Sequence, residues 1–61
     1  MIEIFKFTAY NTEAQYGYGT EKQAIEYVEL LNKDREVNLY EYELIEISEE
    51  EAEMRTDIFN L

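Results

Sequence analysis

The side chains able to move protons or hold ions in this sequence are almost all carboxylates. Glu41 and Glu43 stand two residues apart, Glu46 follows, and Glu49, Glu50, Glu51 and Glu53 close the run. Paired carboxylates perform acid–base chemistry only where a cleft drives their pKa values apart, as at a glycosidase centre. A strand followed by the first turn of a helix provides no such cleft. Calcium needs a loop that wraps the ion, and no Asp-x-Asp-x-Asp-Gly pattern is present, so no metal site is expected. The chain has no His and no Cys, which excludes His-based nucleophilic triads, thiol chemistry and the zinc deaminase centre. Gly17-Tyr18-Gly19 has the G-x-G form without a third glycine or a following dinucleotide-type unit, and is expected to be a bulge or turn rather than a phosphate cradle. The expectation is a protein with no catalytic residues and no cofactor.

What remains is charge. Fifteen Asp and Glu face five Lys and Arg, a formal net charge of −10 on 61 residues. Residues 1–35 hold six acids against four bases and net −2, whereas residues 36–61 hold nine acids against Arg55 alone and net −8. A field of that sign repels nucleic acid and anionic membranes and speeds encounter with basic proteins. An apolar content of 46%, with 15% aromatic, supplies enough burial to favour a folded chain over a disordered one. So short a domain hides only about 60% of the surface that its unfolded form exposes. With disulfides ruled out, a partner subunit or a tight partner is the remaining support, and a homodimer is one such route. No basic segment leads into an apolar one and no apolar stretch approaches membrane length, so a cytosolic location is expected.

The elements that must position these groups follow from periodicity. Met1 to Ala9 predicts a strand with Ile2 and Ile4 on one side and Phe5 and Phe7 on the other, hence a central one. Tyr10-Asn11-Thr12-Glu13 predicts a hairpin turn. A second strand runs through Ala14, Tyr16 and Tyr18, with Gly17 and Gly19 opposite, where a bulge or a close backbone approach is expected. Thr20-Glu21-Lys22-Gln23 has the form of a capping box. Ala24, Tyr27, Val28 and Leu31, with Ile25 beside them, then predict a helix with one apolar face, ending near Asn32 to Asp34.

Val37 to Ile47 predicts a third strand with Tyr40, Tyr42 and Leu44 on one face and Leu39, Glu41 and Glu43 on the other. Ile45 and Ile47 continue the wrong face, which calls for a bulge or strand end near residues 44–45. Ser48-Glu49-Glu50-Glu51 repeats the capping-box form, and three carboxylates in a first turn suit the positive end of a helix. The helix so begun would carry Met54, Ile58 and Leu61 as its apolar stripe, with Phe59 adjacent. The resulting expectation is one α+β domain over residues 1–61, β-β-α-β-α. Its three-stranded antiparallel sheet has the order 2-1-3, covered by one amphipathic helix, with a short C-terminal helix besides.

On this scaffold the candidate partner-binding residues are Glu41, Glu43, Glu46, Glu49, Glu50 and Glu53, with Tyr16, Tyr18, Tyr40 and Tyr42 as anchors of the kind enriched in interfaces. Tyr27 belongs to the helix face and the core. Alternate strand residues stand about 6.6–6.8 Å apart, and each strand of a duplex carries a phosphate per about 3.4 Å of rise, so projected carboxylates can approximate a phosphate row.

In size, net charge and the acidic run Glu41, Glu43, Glu46, Glu49, Glu50, Glu51 and Glu53, the chain resembles the small acidic proteins by which phages and mobile elements block host nucleic-acid-binding machinery, anti-CRISPR proteins among them. The resemblance covers the composition of the C-terminal half and leaves residues 1–35 as scaffold. It implies stoichiometric inhibition of a basic nucleic-acid-binding protein such as a CRISPR-Cas effector, without turnover, cofactor or direct nucleic-acid binding. The competing class is a homodimeric or antitoxin-like interaction module whose contacts are Tyr and aliphatic groups.

Overall fold

A computed structural model describes residues 1–61. Its elements are β1 (Ile2–Thr8), β2 (Gln15–Tyr18), α1 (Glu21–Asn32), β3 (Glu41–Ile47), α2 (Glu49–Met54) and β4 (Ile58–Asn60). The chain is α+β, with a four-stranded mixed sheet in the order β3-β1-β2-β4. β1 pairs antiparallel with both β2 and β3, as its two apolar faces require of a central strand. The expected 2-1-3 arrangement is therefore present, but as part of a larger sheet: β4 adds parallel to β2, with Gly17 opposite Phe59.

Alternation along paired strands sorts the sheet into two faces. One carries Phe5, Phe7, Tyr42, Leu44 and Phe59, and α1 lies over it. Phe5, Phe7 and Ala24 form the core there, with Tyr27, Val28, Tyr40, Phe59 and Leu61 packed around them. The Phe7 and Tyr27 rings meet edge to face at 4.9 Å, a geometry that adds about 0.5–1.5 kcal/mol beyond area burial. The Tyr27 hydroxyl donates to Gln15 Oε1. The other face carries Ile2, Ile4, Ile45, Ile47, Tyr16, Tyr18 and Ile58. It is covered at one end by α2, whose Ala52, together with Arg55 just past its last turn, borders a shallow groove with Ile2, Ile4, Tyr18 and Ile58. Only six residues are buried, which makes both half-cores thin. No helix is long and apolar enough to cross a membrane.

The helix starts match the sequence. Thr20 Oγ1 accepts from the Gln23 N–H, and Gln23 Oε1 accepts from the Thr20 N–H, a complete capping box. Ser48 Oγ accepts from the Glu51 N–H, but here the reciprocal half is missing because the Glu51 carboxylate turns to Arg55 instead. The hairpin turn falls where expected. Thr12 N–H and Oγ1 both donate to the Ala9 carbonyl, and Asn11 takes a left-handed φ of 59°, which Asn tolerates better than most residues.

Three expectations are corrected. The C-terminal helix does not carry a Met54, Ile58 and Leu61 stripe. It stops at Met54, Arg55 turns extended, and Ile58–Asn60 become β4, because an open β2 edge offers backbone partners that Ile58 and Phe59 suit by propensity. Met54 is left in solvent. β3 begins at Glu41 rather than Val37. Asn38 adopts a φ of 56°, and the Asn32 side chain takes both backbone groups of Tyr40, accepting its N–H at 2.7 Å and donating to its carbonyl at 3.1 Å. No bulge interrupts residues 44–45, since the register with β1 is unbroken from Glu41 to Ile47. The change of apolar face marks the point where cover passes from α1 on one side to α2 on the other.

Gly17 and Gly19 do mark a close approach. A Cβ on Gly19 would stand 2.6 Å from Gln23 Oε1 and 2.8 Å from Leu61 Cβ, and one on Gly17 would stand 3.1 Å from Leu61 Cγ. The two glycines thus leave the space in which Leu61 packs, and Gln23 Nε2 donates to the Leu61 carbonyl. Thr20→Ala removes the cap that holds Gln23 in this position, and should cost about 0.5–2 kcal/mol. Urea denaturation checks it, and an unchanged midpoint would show the cap to be dispensable.

Candidate functional site: the acidic edge of the sheet

β3 is an edge strand, paired with β1 on one side only. Its carboxylates Glu41, Glu43 and Glu46 are exposed, and so are Glu49, Glu50, Glu51 and Glu53 on α2, which begins two residues after β3 ends. These groups follow one another along β3 and α2 as an acidic ridge, and they do not share one face. Alternation sends Glu41 and Glu43 to the α2 side of the sheet and Glu46 to the α1 side. From Glu41 to Glu46, five residue rises, the β3 part of the ridge runs about 17 Å.

Two residues outside the expected set alter its charge. Glu3 lies directly across from Glu46, so the N-terminal half contributes an acid to the ridge, and like charges so placed repel. Lys6 lies across from Glu43 without forming an ion pair. Of the fifteen Asp and Glu carboxylates, only Glu51 and Asp57 reach a cation, and in both cases it is Arg55. No three carboxylates gather closely enough to hold a metal ion.

The four candidate tyrosines divide. Tyr42 and Tyr18 are exposed, 37% and 55% respectively, but they stand on opposite faces of the sheet and on different strands. Tyr40 is half-buried against the α1 core, with the Arg35 guanidinium 5.1 Å from its ring centre. Tyr16 is covered by Arg55, whose guanidinium carbon lies 4.1 Å over the ring. Tyr16 and Tyr40 are therefore less accessible than Tyr18 and Tyr42, and Leu44, 51% exposed beside Tyr42 on the edge, joins the accessible set. Its sequence signal was present in the Tyr42, Leu44 alternation, but that pattern does not tell a covered face from a bare one.

Arg55 is the residue that sequence inspection passed over. Its fork donates to Asp57 from Nε at 3.0 Å and from the second terminal nitrogen at 2.7 Å, while the remaining nitrogen reaches Glu51 at 3.4 Å. Stacking on Tyr16 completes a latch that joins α2, β4 and β2. The paired hydrogen bonds hold the Asp57 carboxyl below its ordinary pKa and raise that of the guanidinium. No protein-family model matches this chain and no curated protein matches it.

Lysine has neither the planar fork nor the stacking surface, so Arg55→Lys should lower the melting temperature nearly as far as Arg55→Ala does. The Asp57 contribution is present in full above the unfolded carboxylate value of about 3.9 and is lost as pH falls through the lower folded-state value. Accordingly, the stability deficit of Asp57→Asn should be evident at neutral pH and vanish in strong acid, as urea midpoints across a pH series would show. Because so few carboxylates are paired, added NaCl should raise the wild-type melting temperature by screening self-repulsion. A fall with salt would mean that the Arg55 pairs outweigh that repulsion.

Proposed function

We propose that this chain is a non-enzymatic binding protein, a stoichiometric inhibitor that presents its acidic ridge to the nucleic-acid groove of a basic host protein in the cytosol. A CRISPR-Cas effector is one target of that chemistry. The observation that carries the reading is the ridge itself: Glu41, Glu43, Glu46, Glu49, Glu50 and Glu53, all exposed and none paired with a cation. Unpaired surface charge of one sign costs a small domain stability through self-repulsion, and a Lys/Arg-rich groove relieves it. Glu41 and Glu43 stand about 6.6–6.8 Å apart, near the spacing of every second phosphate along one strand. Lys6 stands beside Glu43 on the neighbouring strand, so the imitation is of local charge density rather than of a regular backbone.

A second reading, an interaction module with Tyr and aliphatic contacts, is supported by the exposure of Tyr42 and Leu44 on the same edge. Salt separates the two, since charge-led binding weakens steeply with ionic strength and an apolar contact does not. The decisive comparison uses purified nucleic-acid-binding proteins, a CRISPR effector included, at low and high salt with DNA as competitor. Replacing Glu41, Glu43, Glu46 and Glu50 by Lys should weaken binding about tenfold or more, because each surface attraction is worth less than about 1 kcal/mol but four act together. Replacing Glu13, Glu26 and Glu29, which belong to neither β3 nor α2, should change it little. Glu3 does not belong among these controls, as it adjoins Glu46. Equal effects from the two sets in folded proteins would reduce the acidic surface to solvation.

A further inference from the structure

We propose that the free edge of β3 accepts an extended segment of the partner as a fifth strand, and that this segment alternates basic with apolar residues. The inference rests on the reading above that the partner is basic, and adds how it is held.

One side of β3 is fully paired over seven residues, and the other leaves every second residue's N–H and C=O without a strand partner. Bare edges of this length are usually blunted by Pro, by a bulge or by charge. Here there is no Pro, and the register shows no bulge, so charge alone guards the edge. That guard is selective. It repels acidic strands and favours cationic ones.

Side-chain chemistry on the two faces differs. Toward α2 the edge presents Glu41 and Glu43, and toward α1 it presents Tyr42 and Leu44, with Glu46 beyond them at the Ile47 end. An added strand lies about 4.8 Å away and sends alternate side chains to the same two faces. Lys or Arg at one parity would oppose the glutamates, and aliphatic residues at the other would cover Leu44 and Tyr42. The chain also has surface to cover. A folded monomer of this mass, 7.4 kDa, exposes about 4,200 Å² by the usual scaling, whereas this one exposes 4768 Å². Its extents of 38 × 24 × 15 Å describe a flat body, wide for its mass.

A second copy fits the edge poorly. In an antiparallel self-pairing, paired residues share a face, so the symmetry axis passes through one residue. Centred on Tyr42, Glu43 or Glu46, the register sets two glutamates directly opposite each other. Centred on Leu44 or Ile45, it sets Glu43 or Glu46 diagonal to its own symmetry mate. Each arrangement adds repulsion to two chains already at −10.

The test uses the intact protein and blocked ten-residue peptides. One alternates Lys with Val, and a second has the same composition with its Lys in one block. Two further versions of the first are N-methylated at alternate residues, each on one parity. By titration at low salt, the alternating peptide should bind about tenfold more tightly than the block peptide, and one N-methylated version should lose binding while the other keeps it. Amide shift changes should fall on Glu41–Ile47, and Leu44→Thr should weaken binding without unfolding the chain. Equal, salt-sensitive binding of alternating and block peptides, with both N-methylated versions retained, overturns strand addition while sparing the acidic-surface reading. No binding by any peptide at low salt overturns both. Sedimentation of the free protein as a dimer whose β3 amides are protected from exchange assigns the edge to a second copy and overturns the proposal.

Discussion

Everything in this fold follows from a central strand that is apolar on both sides. Ile4 and Phe7 are completely buried on opposite faces of β1, and each such side chain contributes about 1.5–3 kcal/mol only if a layer covers it. Sixty-one residues cannot build two full layers. The chain instead staggers two partial ones, with α1 over the Phe5 and Phe7 face and the short α2 over the Ile2, Ile4 and Ile47 end of the other. The thinness of the core, the exposed half of β3 and the need for β4 to close the β2 side are all consequences of that economy.

Electrostatics divides along the same lines. The basic residue of the C-terminal half, Arg55, is spent on structure, holding α2 and β4 against Tyr16. The remaining carboxylates there are left in solvent around β3 and α2. Arg55 reaches only Glu51 and Asp57, so the other carboxylates of the ridge keep their charge unpaired, and the acidity of the ridge follows from the way α2 is fastened.

Much of the scaffold was legible in sequence because local rules agreed. The doubly apolar β1, the Asn11 turn and the Thr20 and Ser48 caps each rest on chemistry confined to a few residues. The misreadings arose where a distant partner decided. Ile58 and Leu61 fit a helical stripe equally well, and only the open β2 edge, some forty residues earlier, selects a strand. The face change at Ile45 was visible, but its cause, a second covering helix, lay outside the strand. The acidic residues of the candidate site were legible as a composition. Their division between two faces, the neighbourhood of Glu3 and Lys6, and the covering of Tyr16 required the register.

The two rims of the sheet are unequal, seven residues of β3 against three of β4. A strand that settles on β3 meets no matching platform at the far rim, because three residues present too few backbone groups to seed another layer. The sheet therefore has a single growing end. Were a strand added to β3, association on the side of this chain would stop after one event, whereas a protein with two long rims would propagate a stack. Self-limitation of this kind would keep an exposed edge from becoming the seed of a fibre.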